Sequence, residues 1–236
     1  MKIQDSVALV TGANRGLGLA FAQALLAGGA RKVYAAARDP ASVTLPGVAA
    51  IGLDVTRPEQ VDAAARALGD VTLLVNNAGI SRGSGFLGDD GLLAVRAELD
   101  TNFFGPLSMS RAFAPILARN GGGAIVNVLS ALSWVSFPAS STYAASKAAA
   151  WSLSNGLRHE LRGQGTQVLA LHVGFMDTDM VRHVKAPKSK PEDVVAQTLA
   201  ALEAGQSEVL ADEVSRRIKQ TLSAEPGCYL TPPVAA

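Results

Sequence analysis

One cysteine and three histidines are all that this chain of 236 residues offers in soft or imidazole ligands. Cys228 has no partner for an internal disulfide and no neighbouring thiolate for zinc, while His159, His172 and His183 lack metal-ligand spacing, so no metal is expected. An excess of one charge is missing too. The 21 basic and 20 acidic residues are mixed along the chain and leave a net charge of +1, so no strong field gathers nucleic acid or an anionic membrane, and neither is expected as a partner. Long apolar runs are also absent: the start "MKIQDSVALVTGANRG" has four apolar residues in a row before Thr11, too short for a signal-peptide core, and no later run approaches a membrane span. A cytoplasmic protein is expected.

What is present is core-forming material. Hydrophobic residues make up 48% of the chain and charged residues 17%, the balance of a folded domain rather than a solvated tail. Short β-branched or apolar runs at 7–11, 32–37, 48–54, 71–77, 124–130, 167–174 and 207–212 read as buried strands. Between them, Ala/Leu-rich stretches at 16–27, 58–68, 89–119, 140–162 and 191–204 have helical length. Apolar strands alternating with helices imply a parallel sheet covered on both faces. The expected class is α/β, a Rossmann-like doubly wound parallel sheet of about seven strands in a single domain over 1–236. One stretch stands apart: 175–190, "FMDTDMVRHVKAPKSK", is weakly periodic and charged towards its end, and reads as a movable lid.

Directly after the first strand, "TGANRGLG" sets Gly12, Gly16 and Gly18 at the mouth of a helix, where backbone N–H groups and the positive helix end hold a pyrophosphate. The spacing is GxxxGxG, without the GK[ST] ending of a P-loop. At the end of the second strand, where a dinucleotide meets the adenosine ribose, Arg38 precedes Asp39. Asp39 before Pro40 suits a turn or helix start. Arg38, with Arg15 on the same side, suits the 2′-phosphate of NADP(H), which is therefore preferred over NAD. "GISRG" at 79–83 fits the GxSxG pattern of a hydrolase elbow, but Gly83, Gly85 and Gly88 follow where a helix must begin, which excludes that class.

"TGANRGLG", "LDV" at 53–55, "NNAG" at 76–79, "TNFFG" at 101–105, Ser130, "YAASK" at 143–147 and "HVGFMDT" at 172–178 appear in order over nearly the whole chain, which resembles the short-chain dehydrogenase/reductases. The resemblance implies that Gly12, Asn14, Arg15, Gly16, Leu17 and Gly18 form the pyrophosphate loop, with Arg38, Asp54 and Val55 at the adenosine end. It puts Asn77, Ala78 and Gly79 beside the ribose, Gly174 and Phe175 near the nicotinamide, and Thr178 near the nicotinamide amide or a phosphate. Asn102 matches an asparagine that bends its helix and holds a water in a proton relay. Lys147 holds the nicotinamide ribose as well as acting on Tyr143. Val173 stands where the family usually has proline. Homodimers or tetramers built through 89–119 and 140–162 are implied as well.

The chemistry explains the Tyr/Lys spacing. Hydride arriving at a carbonyl builds charge on its oxygen, which needs a proton donor and a hydrogen bond aimed at it. A free phenol titrates near pH 10, roughly three units from neutrality, so a nearby cation is needed to favour phenolate. Lys147 follows Tyr143 by one helical turn and is expected to be that cation. Ser130 is expected on the substrate oxygen. Leu132, Trp134, Phe137, Met176 and Met180, together with Phe86 and Phe175, are expected to edge an apolar pocket for a small ketone, aldehyde or C=N compound. The competing reading is an NADP(H)-binding redox sensor without turnover.

Overall fold

Val7–Thr11 has no polar face, and a strand of that kind needs cover on both sides. In the computed structural model, which describes residues 1–230, it forms β1, buried along its whole length. β2 (Lys32–Ala37), β3 (Ala49–Gly52), β4 (Leu73–Asn76), β5 (Ala124–Val128), β6 (Gln167–His172) and β7 (Glu208–Leu210) complete a seven-stranded sheet in the order β3-β2-β1-β4-β5-β6-β7. Every pairing is parallel. The domain expected over 1–236 thus forms one sheet, and its last residues, 231–236, lie outside the described part.

Alternation along the strands sorts the core into two layers, because successive side chains point to opposite faces. Ala8, Val10, Leu73, Val75 and Val126 meet Phe21 and Leu25 of α1 (Gly16–Ala27) and Val194 and Leu202 of α6 (Pro191–Glu203). Val7, Leu9, Leu74 and Ile125 point the other way. They meet Val61 of α2 (Pro58–Ala67), Met109 and Phe113 of α4 (Gly105–Arg119) and Leu157 of α5 (Ser141–Glu160). Among the described residues, no helix is long and apolar enough to cross a membrane.

The stretch expected as one helix over 89–119 is three pieces. α3 (Gly91–Leu99) opens into a wide π turn at Asp100–Phe104 before α4 resumes. There the Gly105 N–H reaches back five residues to Asp100 O, and Pro106 has no N–H to give to the carbonyl of Asn102. A further helix, α7 (Glu213–Thr221), was not expected at all, since Val214 and Ile218 are its only large apolar residues. Asp212 starts it by accepting from Ser215 N with Oδ1 at 2.8 Å. The stretch 175–190 is pinned at both ends: Asp177 N donates to Ser189 O at 3.0 Å and Ser189 N to Phe175 O at 2.9 Å. A short 3-10 turn, Asp179–Val181, lies between.

Candidate active site

Strand order turns back between β1 and β4, and ligands of open α/β sheets bind outside the strand ends at such a point. Two loops meet there. The first runs from Gly12 to Gly18, with Gly12 at φ +64° and Gly16 at φ +52°, both in the left-handed region. At Gly18 a Cβ would fall 2.1 Å from Gly12 O, so only glycine allows so tight a fold into α1. Arg15 is the N-cap of α1 but makes no side-chain bond to the helix, and the first turn holds no acidic residue. The positive helix end is therefore left for an anion. Asn14 is half-buried in the loop, and Leu17 is buried in the core beneath it. The second loop is tied to the first: Asn77 Nδ2 donates to Thr11 O at 2.8 Å and Gly12 O at 3.1 Å, while Thr11 Oγ1 accepts from Asn77 N and Ala78 N at 3.0 Å each. This cradle fits a pyrophosphate.

At the outer end, Asp39 Oδ1 accepts from Ala41 N at 3.0 Å, capping a 3-10 turn that opens with Pro40. Its carboxylate is thereby engaged locally, and exposed Arg38 stands beside Asp54. Burial opposes ionisation of Asp54, but bonds from Thr56 and the guanidinium of Arg38 prevail and hold its carboxyl below the usual range. Val55 is buried in the core next to it.

At the ends of β4 and β5 four polar side chains converge, three of them buried. Asn102, in the π turn, accepts from Ile80 N at 2.9 Å and donates from Nδ2 to Ile80 O and Ser146 Oγ, both at 2.9 Å. It thus ties the loop after β4 to α5 rather than bonding its own helix. A Cβ on Gly79 would lie 3.2 Å from Asn102 Oδ1 and 3.7 Å from Lys147 Nζ, which brings all three together. Ser130 follows β5 and is the N-cap of a 3-10 turn, its Oγ accepting from Leu132 N at 3.1 Å. Tyr143 and Lys147 share one face of α5, with Lys147 Nζ 5.6 Å from the phenol ring centroid.

Lys147, expected as the cation that favours phenolate at Tyr143, donates from Nζ to Val128 O at 2.9 Å. Burial pushes Tyr143 up to about 12, the Ser130 hydroxyl pulls the other way, and the charge of Glu98 adds to the rise. Part of the Tyr143 side chain still meets water, which screens some of that effect. Burial also pushes Lys147 down to about 8.

Gly174, expected to approach the nicotinamide, is bonded to a carboxylate of α7's N-cap. Its N–H donates to Asp212 Oδ2 at 2.6 Å, so the space left by the missing Cβ is taken by that carboxylate. Thr178, expected near the nicotinamide amide or a phosphate, lies against the pyrophosphate loop, its Cγ2 3.3 Å from where a Cβ on Gly16 would stand. Arg15 forms an ion pair at 3.3 Å with Asp179 of the 175–190 segment. Of the residues expected at the pocket edge, Leu132, Trp134 and Phe137 pack around Ala131, Val135 and Ile218, backed by α7. Met176 packs against the main core, whereas Phe86, Phe175 and Met180 are exposed. Glu98, His172 and Asp212 had no role assigned from the sequence. Only Asp212 had a local signal, an aspartate three residues ahead of a serine at a helix start.

A phosphate cradle at the sheet's turning point, with a serine, a tyrosine and a lysine beside it, defines an oxidoreductase of the doubly wound α/β type. The chain belongs to the short chain dehydrogenase family, which it matches over residues 6–189. It is 35% identical over 218 residues to 1-deoxy-11-beta-hydroxypentalenate dehydrogenase of Streptomyces exfoliatus, covering 86% of this chain and 79% of that one. It is 30% identical to a 3-oxoacyl-(acyl-carrier-protein) reductase of Vibrio cholerae, over 87% of this chain and 85% of the other. A short chain dehydrogenase from Burkholderia cenocepacia J2315, solved in complex with NADP, superposes with a TM-score of 0.92 at 44% identity, covering 96% of each chain.

Proposed function

We propose that this protein is an NADP(H)-dependent carbonyl reductase, or alcohol dehydrogenase in the reverse direction, with Tyr143 as the general acid/base. The observation that carries the reading is the convergence of Asn102, Ser130, Tyr143 and Lys147 beside the glycine cradle. The nicotinamide cofactor supplies the hydride when bound. Gly12, Asn14, Arg15, Gly16, Leu17 and Gly18 hold its pyrophosphate, and Asp54, Val55 and Asn77 to Gly79 line its adenosine and ribose. Lys147 leaves Val128 O for the nicotinamide ribose, Phe175 closes over that end, and Thr178 meets a phosphate. Arg38 and Arg15 take the 2′-phosphate, a preference in keeping with the NADP complex of the Burkholderia relative.

Ser130 donates to the substrate oxygen and Tyr143 delivers the proton. A phenol pushed up by burial stays protonated at neutral pH, the form needed for reduction. Leu132, Phe137 and Met180 frame the substrate, with Trp134 and Met176 behind them, and the 175–190 segment acts as the lid. The names of the relatives make 3-oxoacyl and hydroxypentalenate-type compounds the first substrates to try. We also read the enzyme as a cytoplasmic homo-oligomer closed through α4 and α5.

The test is a substrate panel with NADPH on wild type and Tyr143→Phe. Turnover is expected to fall in the variant by a factor of roughly 10² to 10⁴, with the NADPH dissociation constant unchanged. Near-normal reduction by Tyr143→Phe would remove it from the mechanism, and NADPH binding without consumption by wild type would favour a redox sensor.

A further inference from the structure

His172 ends β6 with its side chain fully buried, in a strand whose other buried residues are all apolar. A buried imidazole is costly unless its polar atoms are engaged. Nδ1 lies 3.1 Å from the carbonyl oxygen of Ser130. A carbonyl only accepts, so Nδ1 carries the proton and Nε2 the lone pair. Around the ring, Trp134 stacks at a centroid distance of 3.9 Å and an interplanar angle of 16°. Nε2 makes no hydrogen bond among the described residues; Glu208 Oε1 of β7 stands 3.6 Å away and is held by Lys219 Nζ of α7 at 3.0 Å. Lys219 also lies over the Trp134 ring, 4.8 Å from its centroid. Burial pushes His172 down to about 4; Ser130 O and Glu208 work against that fall, and Lys219 and Lys147 add to it. The imidazole is therefore neutral at neutral pH.

Ser130 is gripped through its backbone. Its carbonyl accepts from Ser133 N at 3.0 Å as well as from His172, and the Ala131 N–H of the same peptide donates to Val173 O at 3.1 Å. That peptide plane decides where the Ser130 hydroxyl points.

We propose that His172 is a positioning residue: its Nδ1–H clamps the Ser130 carbonyl and so aims the Ser130 hydroxyl at the substrate oxygen, while Trp134, covered on its ring by Lys219 of the Glu208–Lys219 pair, holds the imidazole in place. The proposal rests on reading Ser130 as the donor to substrate. It makes β7 and α7, which follow the lid, part of the catalytic apparatus.

The test compares His172→Asn with His172→Gln. The shorter amide reaches the place of Nδ1 and the longer one that of Nε2. With NADPH and the best panel ketone, His172→Gln is expected to lose kcat by on the order of 10- to 100-fold, with NADPH affinity unchanged and His172→Asn recovering most of the loss. Equal rates for Asn and Gln would overturn the clamp. Normal turnover of Ser130→Ala in the same assays would instead remove the reading on which it rests. Should both histidine variants fail to fold, nitrogen NMR of the wild-type full chain decides, needs no substrate, and is assigned by elimination with substitutions at exposed His159 and His183. A Nδ1–H tautomer at His172 is expected, and a Nε2–H tautomer would overturn the proposal.

Discussion

Glu98 sits inside α3, fully buried, with Oε1 accepting from Arg82 N at 2.6 Å and Oε2 without a partner among the described residues. Its charge disfavours phenolate at Tyr143. Removing that charge lowers the phenol's pKa, so in Glu98→Gln the rate of reduction should begin to fall at a lower pH than in wild type. Alcohol oxidation, which needs the phenolate, should rise at a lower pH. Superimposable pH–rate profiles in the two directions would show that Glu98 only supports the Arg82 loop. Arg38 poses a simpler question at the same scale, because Asp39 is committed to its turn and leaves the guanidinium to decide between cofactors. A charge-assisted bond to phosphate is worth about 1.5–3 kcal/mol. Arg38→Asp is then expected to lower the NADPH to NADH ratio of kcat/KM by roughly 10- to 100-fold, and an unchanged ratio would discard the assignment.

Elements were legible wherever local chemistry decides them. β1, β2 and α1 begin and end where the apolar runs and glycines do. β3 to β7 came out shorter than their apolar runs, whose ends continue into the loops beyond the sheet. Apolar periodicity does not register one widened turn, so only the resemblance put a bend at Asn102, and the bonds that anchor it there come from Ile80 and Ser146, far away in sequence. In the site, residues carried by a motif could be read one by one. Glu98 and His172 could not, for only the packed fold shows that a polar side chain is buried. Asn127 is a further case: its Oδ1 accepts from Asn76 Nδ2 at 2.8 Å and its Nδ2 donates to Ser154 Oγ at 2.9 Å, so one side chain of β5 ties β4 to α5, the helix of Tyr143 and Lys147. Asn127→Leu breaks both bonds inside the core and is expected to cost about 1–3 kcal/mol, read as an earlier denaturant midpoint. An unshifted midpoint would mean that apolar packing alone holds α5 in register.

For the whole molecule, the open question is what covers the outer side of α4 and α5. Phe103, Leu107, Ala149, Leu153 and Gly156 line a shallow groove there, and Phe104 is exposed beside it. Gly156 sits inside α5, yet a Cβ added to it would meet nothing nearer than Glu160 Oε1 at 4.0 Å. Within one chain that glycine is a pure cost, since leucine in its place would favour the helix by roughly 0.8 kcal/mol. Close approach of a helix from a second copy gives it a purpose, because only small residues let two such backbones near each other. The two cases predict opposite signs for Gly156→Leu. If the face is closed by another copy, the added side chain wedges the helices apart, light scattering shows a smaller mass than wild type, and Tm falls. If the protein works alone, the mass stays monomeric and Tm rises by a few degrees, as expected for a gain of that size in a chain of this length. The small residues facing the groove lead us to expect the first outcome.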